Sequence, residues 1–273
     1  MQIVLSDGLR KLYKYQEEIL KAVILAGGKG TRLSEETQFR PKPLVEAHGH
    51  PLIWHVMQNY ARFGVSEFIV LAGHKGQQIR EYFANYWLRQ SDVTFDMNNP
   101  SVVIHESRNL PWKVTVLDTG SETETAGRIA AASHLLTSRF FLTYGDGVSD
   151  VDVSKLLDQH NRDGCEVTLT AVQPPARFGA IKIGDANQIV SFEEKPSGDG
   201  AWVNGGYFVV EPSIIKKIDG RNVSFESVVL PELAKEMKLN YFRHEGFWQP
   251  VDTLRDLQRL EEALSKSQFP WVN

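Results

Sequence analysis

Cysteine is nearly absent from this sequence. The single thiol, Cys165, cannot form an internal disulfide, and we expect it to serve packing in a reducing compartment. Long apolar runs are missing as well, because no segment approaches the roughly 20 residues of a membrane-spanning helix. Residues 1–20 also lack the compact apolar region and small-residue cleavage site of a signal peptide. Together these absences predict a cytoplasmic protein with no membrane partner.

An excess of positive charge is missing too. The 30 Lys and Arg residues are outnumbered by 34 Asp and Glu residues, and the formal net charge is −4. A nucleic-acid-binding protein would be expected to carry a basic patch or stripe, so no nucleic-acid partner is predicted. An anionic substrate would therefore be held by a few placed cations and backbone amides, and not by the field of the whole protein.

Short apolar runs alternate with helical patterns from Lys21 onward. The runs Ala22–Ala26 and Phe68–Ala72 are each followed by glycine and are typical of buried parallel strands. The segments after them, such as Pro51–Phe63, carry apolar residues at helical spacing. This order predicts an α/β fold with a doubly wound, mostly parallel sheet, to which Phe140–Tyr144 and Val167–Val172 add further strands.

Two stretches depart from this pattern. Between Ser91 and Gly120, alternating residues indicate short strands around turns, which we interpret as inserted β-hairpin elements outside the doubly wound core. Gly179–Tyr207 likewise indicates meandering strands. No repeat or linker divides the chain, so residues 21–273 are predicted to form one domain and residues 1–20 an N-terminal extension. Its partly apolar stripe fits either a docked helix or a frayed segment.

A glycine-rich segment follows the first predicted strand directly. We call Ala26–Leu33, with the sequence AGGKGTRL, the glycine loop. Its glycines let the backbone approach a polyphosphate and direct N–H groups at it, while Lys29 and Arg32 add positive charge. The spacing differs from the G-x-G-x-x-G of dinucleotide-binding folds and lacks the terminal G-K-[ST] of a P-loop. The sequence therefore predicts a phosphate-binding loop of another kind.

Two carboxylates stand at positions suited to a metal ion. Asp146 comes just after the predicted strand Phe140–Tyr144, at the strand end where ligands of α/β proteins collect. Asp252 stands at the start of the last predicted helix, where an ordinary helix N-cap is the alternative interpretation. Carboxylate oxygens are ligands that Mg²⁺ prefers, so the pair is a candidate Mg²⁺ site.

The motifs together resemble those of sugar-nucleotide pyrophosphorylases. The strand Lys21–Leu25 with the glycine loop, followed by Pro41-Lys42-Pro43, is similar to the signature of that family. The segment Phe192–Pro196, FEEKP, resembles the family's sugar-binding E-K-P motif, and Asn204-Gly205-Gly206-Tyr207 matches a segment near the hexose. Further runs, including Leu33–Thr37, Glu81–Tyr86 and Phe247–Pro250, resemble the glucose-1-phosphate cytidylyltransferases most closely.

This resemblance implies a Rossmann-like nucleotidyltransferase fold and Mg²⁺-dependent cytidylyl transfer from CTP to α-D-glucose 1-phosphate, giving CDP-glucose and pyrophosphate for nucleotide-sugar and surface-polysaccharide biosynthesis. It implies nucleotide binding by Leu25, Ala26, Gly27, Gly28, Lys29, Gly30, Thr31, Arg32, Lys42, Thr123, Gly127, Arg128 and Gly145. It implies sugar-phosphate binding by Gly179, Glu194, Lys195, Asn204 and Gly205. The implied catalytic residues are Arg32, Lys42, Asp146 and Lys195, with Mg²⁺ held by Asp146 and Asp252. Relatives are commonly homo-oligomers, which makes Ser91–Gly120 a candidate subunit contact.

The nucleotide base and the activity itself leave alternatives open. Arg128 carries only donors, which could serve O2 and N3 of cytosine but would meet the N3–H of uracil, so CTP is expected over UTP. Arg128 contacting phosphate instead, or a family member using UTP or dTTP, are the alternatives, and Ala126 departs from a glycine common in relatives. A catalytically silent nucleotide-sugar sensor should have lost Arg32, Lys42, Asp146 or Lys195, and all four are present.

Overall fold

The computed structural model describes residues 20–107, 110–174, 180–183, 188–193, 201–266, 269 and 271. Residues 1–19 of the expected N-terminal extension lie outside this description. The strands are β1 Lys21–Ala26, β2 Glu46–Ala47, β3 His50–Pro51, β4 Glu67–Ala72, β5 Ser91–Asp96, β6 Ser101–Ser107, β7 Lys113–Asp118, β8 Phe140–Tyr144, β9 Gly147–Ser149, β10 Val167–Val172, β11 Ala180–Ile183, β12 Ile189–Glu193, β13 Val203–Val210, β14 Leu239–Arg243 and β15 Trp248–Pro250. The helices are α1 Ser34–Thr37, α2 Leu52–Ala61, α3 Gly76–Ala84, α4 Tyr86–Arg89, α5 Thr125–Ala131, α6 Val153–Asp163, α7 Ser213–Ile218, α8 Leu230–Lys235 and α9 Leu254–Lys266.

A seven-stranded sheet forms the centre of the molecule, with the strand order β14-β10-β13-β8-β1-β4-β7. The pairs β1–β4, β1–β8, β4–β7 and β10–β14 are parallel, while β13 runs antiparallel to both β8 and β10. The predicted α/β fold with a mostly parallel sheet is therefore confirmed. The parallel strands β8, β1 and β4 end at the same edge, which is where ligands of such sheets bind.

Both faces of this sheet are covered, as the continuous apolar strands predict. In β1, Ala22, Ile24 and Ala26 pack with α2 on one side, whereas Val23 and Leu25 pack with α5 and α7 on the other. Successive side chains of a strand point to opposite faces, so a strand buried on both sides must be apolar at every position. Each fully buried Val, Leu or Ile contributes about 1.5–3 kcal/mol, which fixes β1 firmly at the centre.

Two sequence-based interpretations of the strands are wrong in detail. The hairpin of β5 and β6 lies outside the main sheet, as expected, but β7 does not: it pairs with β4 over the full register Glu67↔Lys113 to Ala72↔Asp118. Likewise β13 lies inside the central sheet, although its residues fell partly in the predicted meander. For β7, which is an edge strand of the sheet, the alternation resembles that of a hairpin strand, so local pattern alone could not place it.

No helix within the described part of the chain is long and apolar enough to cross a membrane.

Candidate functional site

A cavity of about 500 Å³ opens at the edge where β1 and β8 end. Its walls come from four parts of the chain: the glycine loop, the loop of residues 121–125 with α5, the end of β8, and the segments that carry Lys42 and Asp252. The lining residues are Leu25, Ala26, Gly27, Gly28, Lys29, Gly30, Thr31, Arg32, Lys42, Pro43, Ser121, Glu122, Thr123, Glu124, Thr125, Arg128, Tyr144, Gly145, Asp146 and Asp252. Most residues of the expected nucleotide set are thus brought together.

The glycine loop leaves β1 without starting a long helix. It turns at Gly30, whose φ of +64° suits glycine, and continues as a 3₁₀ turn over Thr31–Leu33. A Cβ at Gly30 would lie 2.8 Å from the Thr37 methyl carbon. The Thr37 hydroxyl donates to the carbonyls of Gly30 and Leu33, at 2.9 Å each. The loop is therefore held from α1, and its residues Ala26–Arg32 line the cavity.

Three charged side chains form what we call the acidic edge: Asp146, Asp252 and Lys42. Lys42 Nζ lies 2.6 Å from Asp146 Oδ2 and 2.7 Å from Asp252 Oδ1, while Arg32 Nη1 lies 2.7 Å from Asp252 Oδ2. Burial acts to lower the pKa of Lys42, but the charge of Asp146 and hydrogen bonds to both carboxylates outweigh it and raise the pKa above its usual value. Lys42 therefore remains a cation at neutral pH.

A small two-stranded ribbon brings the two aspartates together across 106 positions of sequence. Antiparallel β9 and β15 follow Asp146 and precede Asp252, respectively, with Gly147 opposite Pro250. The Val251 N–H also donates to the Asp146 carbonyl at 3.1 Å. The Asp252 carboxylate accepts hydrogen bonds from Arg32 and Lys42. The backbone N–H groups of Asp252 and Thr253 donate to the Asp256 carboxylate instead. The N-cap alternative for the Asp252 side chain is therefore not what the structure shows.

The acidic edge would hold a divalent cation only together with a bound substrate that supplies further oxygen atoms. Asp146 and Asp252 offer hard carboxylate oxygens facing the cavity, which suits Mg²⁺. In the described residues no group of three or more His, Cys, Asp or Glu side chains could hold a metal. A protein that binds Mg²⁺ through one or two carboxylates usually completes the coordination with substrate phosphates and water.

Arg128 lies in the cavity wall, as expected, and its hydrogen bonds go to other residues of the protein. Its base-reading role stays a prediction. The residue is 4% exposed, and Nη1 donates to Thr119 Oγ1 and the Gly120 carbonyl at 2.6 Å each. Nη2 donates to the carbonyls of Gly27 and Ser121, at 3.1 and 3.3 Å. The terminal nitrogens are therefore directed at protein oxygens, and not freely at a base edge. The Arg128 guanidinium thereby connects the glycine loop to the 121–125 loop, because both loops supply carbonyl acceptors to it.

A Cβ at Gly27 would overlap the Arg128 guanidinium, so this close approach needs glycine there. Gly127 is not among the lining residues, and a Cβ there would lie 2.7 Å from Asn222 Oδ1. The nucleotide role of Gly127 stays a prediction, and the structure gives it a packing reason.

The expected sugar-phosphate residues are only partly described. Gly179, Glu194 and Lys195 lie outside the described residues. Asn204 and Gly205 stand in β13 and do not line the cavity. The Asn204 side-chain oxygen accepts from the Gly206 N–H, and the Gly205 carbonyl accepts from Trp248 Nε1, at 2.8 Å each. Their binding roles stay predictions.

Sequence reasoning missed several residues of the cavity wall. Tyr144 and Thr125 line it beside the predicted set, and Glu122, another lining residue, forms a 2.8 Å ion pair with Lys29. Tyr144 directly precedes the Gly145-Asp146 motif, which was the available clue. The hydrogen bond from Lys29 lowers the pKa of Glu122.

Comparisons with known proteins identify the family of this chain. A family model described as nucleotidyl transferase matches residues 21–267. This chain belongs to that family.

Its relatives include the glucose-1-phosphate cytidylyltransferase of Salmonella typhi, 49% identical over 92% of this chain and 98% of the relative. They also include a probable glucose-1-phosphate cytidylyltransferase of Bacillus subtilis, 40% identical over 92% of this chain and 99% of the relative. The resemblance noted from the motifs is therefore confirmed, as is the prediction of a nucleotidyltransferase.

Solved structures agree on the fold. A putative glucose-1-phosphate thymidylyltransferase from Bacillus anthracis superposes with a TM-score of 0.67, covering 92% of this chain and 97% of that one. The sequences are 18% identical, so this likeness supports the Rossmann-like fold alone. Nucleotidyltransferases of this family generally use a divalent metal.

Proposed function

We propose that this enzyme transfers a cytidylyl group from CTP to α-D-glucose 1-phosphate, with Mg²⁺ as the metal. The observation that carries the proposal is the joint placement of the glycine loop, Lys42 and the two aspartates around one cavity. The choice of CTP and glucose 1-phosphate is supported by the names of the Salmonella and Bacillus relatives, which match nearly the full chain.

In this reaction an oxygen of the sugar phosphate forms a bond to the α-phosphorus of CTP. The bond from that phosphorus to the bridging oxygen breaks on the opposite side, and pyrophosphate leaves with the electron pair. The attacking oxygen is already anionic near neutral pH, so no general base is required. The chemical difficulty is to bring two polyanions together, which makes positioning and charge neutralisation the tasks of the protein.

The described residues suit those tasks. Backbone N–H groups of the glycine loop and the charge of Arg32 would hold the triphosphate, while Lys42 is a cation placed within 2.7 Å of both aspartates. We assign Lys195 to the incoming sugar phosphate and Glu194 to sugar hydroxyls, on the resemblance of the FEEKP segment. These assignments rest on the sequence motif because that segment lies outside the described residues.

The metal would be held by Asp146 and Asp252 together with phosphate oxygens. When bound, Mg²⁺ supplies positive charge at the phosphate oxygens, beyond what Lys42 and Arg32 provide. Calorimetric titration of Mg²⁺ in the presence of a non-hydrolysable CTP analogue tests this assignment without turnover. We expect binding in the wild type and its loss in Asp252→Asn.

Pyrophosphate release tests the proposed reaction directly. The purified protein is assayed with CTP, UTP, dTTP, ATP and GTP, each against glucose 1-phosphate and mannose 1-phosphate. We expect the highest kcat/KM with CTP and glucose 1-phosphate. A preference for UTP or dTTP would replace the cytidylyl assignment, and binding of substrates without release by any pair would identify a silent sensor.

A further inference from the structure

Glu226 collects three hydroxyl donors beside the cavity. Tyr144 Oη donates to Oε1 at 2.7 Å, while Thr125 Oγ1 and Ser224 Oγ donate to Oε2 at 2.6 and 2.9 Å. Within the described part of the chain, no Lys or Arg forms an ion pair with this carboxylate. Hydrogen bonds to a charged acceptor are the strong ones, so the carboxylate fixes the direction of these hydroxyls.

The two hydroxyls from Tyr144 and Thr125 belong to the cavity wall. Tyr144 ends β8, two positions before Asp146 of the acidic edge. Thr125 begins α5 and closes the 121–125 loop. Both donate to Glu226, so one carboxylate links the cavity wall beside the acidic edge to the wall formed by residues 121–125.

The segment that carries Glu226 is braced against the same loop. The Phe225 N–H donates to Thr125 Oγ1 at 2.7 Å, and the Glu124 N–H donates to Asn222 Oδ1 at 2.8 Å. Glu226 itself lies in a π-helical turn, Phe225–Val229, capped by the Ser224 hydroxyl. Such turns are rare and frequently occur at functional sites.

Tyr144 also contacts the strand that carries Asn204 and Gly205. Gly206 has a φ of +79°, and a Cβ there would lie 2.5 Å from Tyr144 Cδ2, so the ring packs directly on the backbone of β13. The Tyr144 hydroxyl donates to Glu226, so both the ring and the hydroxyl of this side chain are held in place.

We propose that Glu226 is a positioning residue for nucleotidyl transfer, holding Thr125 on the nucleotide side and Tyr144 beside Asp146 in one fixed arrangement. It does not need to touch substrate, since it acts through these two side chains. The proposal rests on the proposed function only for the choice of substrates. Any nucleotide and sugar phosphate that the wild type turns over serve equally well.

Four variants test it by steady-state kinetics and thermal unfolding. Glu226→Gln keeps the volume but removes the charge, and its NH₂ group can only donate, so at least one hydroxyl must reverse its hydrogen bond or lose it. We expect kcat/KM for the nucleotide to fall by about 10- to 100-fold, as small displacements of positioned groups do. Thr125→Val should raise the nucleotide KM with little change in kcat, whereas Tyr144→Phe should lower kcat more than it raises KM. Glu232→Gln is the matched control. It removes the α8 carboxylate that pairs with Arg221, and it should leave both kcat and KM unchanged.

The double variant Glu226→Gln/Thr125→Val distinguishes a positioning role of Glu226 from a contribution to fold stability alone. Because both changes act through one carboxylate, the nucleotide KM should be no higher than in Glu226→Gln alone. The proposal is overturned if the two effects multiply, or if Glu226→Gln lowers the Tm while kcat and KM stay within about twofold of the wild type. If Glu226→Gln does not fold, the two single variants provide the test. Thr125→Val should change mainly the nucleotide KM and Tyr144→Phe mainly kcat, and identical effects of the two variants overturn the proposal. A wild type that turns over no substrate pair would contradict the proposed function instead.

Discussion

The glycine loop and the acidic edge line the same cavity but are built in opposite ways. The loop is one continuous segment, Ala26–Leu33, placed by the strand before it and by Thr37 after it. The acidic edge joins Lys42, Asp146 and Asp252 from three separate segments, and the pairing of β9 with β15 brings the two aspartates together. A continuous motif keeps most of its geometry locally, whereas an assembled edge depends on the whole fold. Substitutions should therefore affect function most at the edge and local stability most at the loop.

The largest effect is expected for Lys42→Met. It removes the cation that lies within 2.7 Å of both aspartates and leaves two partly buried carboxylates facing each other. We expect kcat to fall by about a thousandfold, the upper range for losing one positioned electrostatic group. Lys113→Met, which removes a lysine paired with Glu67 away from the cavity, is the control for loss of charge. Near-normal kcat in Lys42→Met would contradict the role assigned to the acidic edge.

Asp146→Asn should be the next most damaging change. The amide keeps the shape but removes one negative charge from the edge, so kcat should fall by at least about a hundredfold while the fold survives. Turnover measured over a Mg²⁺ titration checks the reason. Near-normal turnover at low Mg²⁺ would show that Asp146 is not a metal ligand.

Arg128→Lys tests the tie between the loop and the rest of the cavity wall. Lysine keeps the charge but lacks the planar fork that reaches Gly27, Gly120 and Ser121 together. We expect the nucleotide KM to rise by about tenfold for CTP and UTP alike, the scale of losing a hydrogen bond to a charged donor. Steady-state kinetics with both nucleotides measure this. If the ratio of kcat/KM for CTP to kcat/KM for UTP falls in the variant, Arg128 contacts the base during the reaction, as the sequence analysis predicted.

The smallest effect is expected within the glycine loop itself. Gly30→Ala places a Cβ at a φ of +64° and 2.8 Å from the Thr37 methyl carbon, so the free energy of unfolding should fall by about 1–2 kcal/mol. Gly28→Ala is the matched control, since its Cβ would meet nothing within 4 Å. Urea denaturation measures both. Equal stability of the two variants would show that Gly30 is not held in its turn by Thr37.

Sequence alone was sufficient where a structure is determined locally. The bounds of β8, Phe140–Tyr144, and β10, Val167–Val172, match the apolar runs, because a strand buried on both faces leaves a continuous run. The predicted position of β7 was wrong because apolar and polar residues alternate in an edge strand as they do in a hairpin strand. The contacts of Lys42 with both aspartates, and of Tyr144 with Glu226, could not be derived from spacing. They depend on pairings between segments 82 or more positions apart.

The reverse reaction tests the central claim most directly, because it compares nucleosides while the sugar stays glucose in every substrate. The purified enzyme is given pyrophosphate with CDP-glucose, UDP-glucose or dTDP-glucose, and formation of the nucleoside triphosphate is followed. We predict that CDP-glucose is cleaved with a kcat/KM at least about a hundredfold higher than the others, as a site built for one hydrogen-bond pattern allows. Preferential cleavage of UDP-glucose or dTDP-glucose would contradict it.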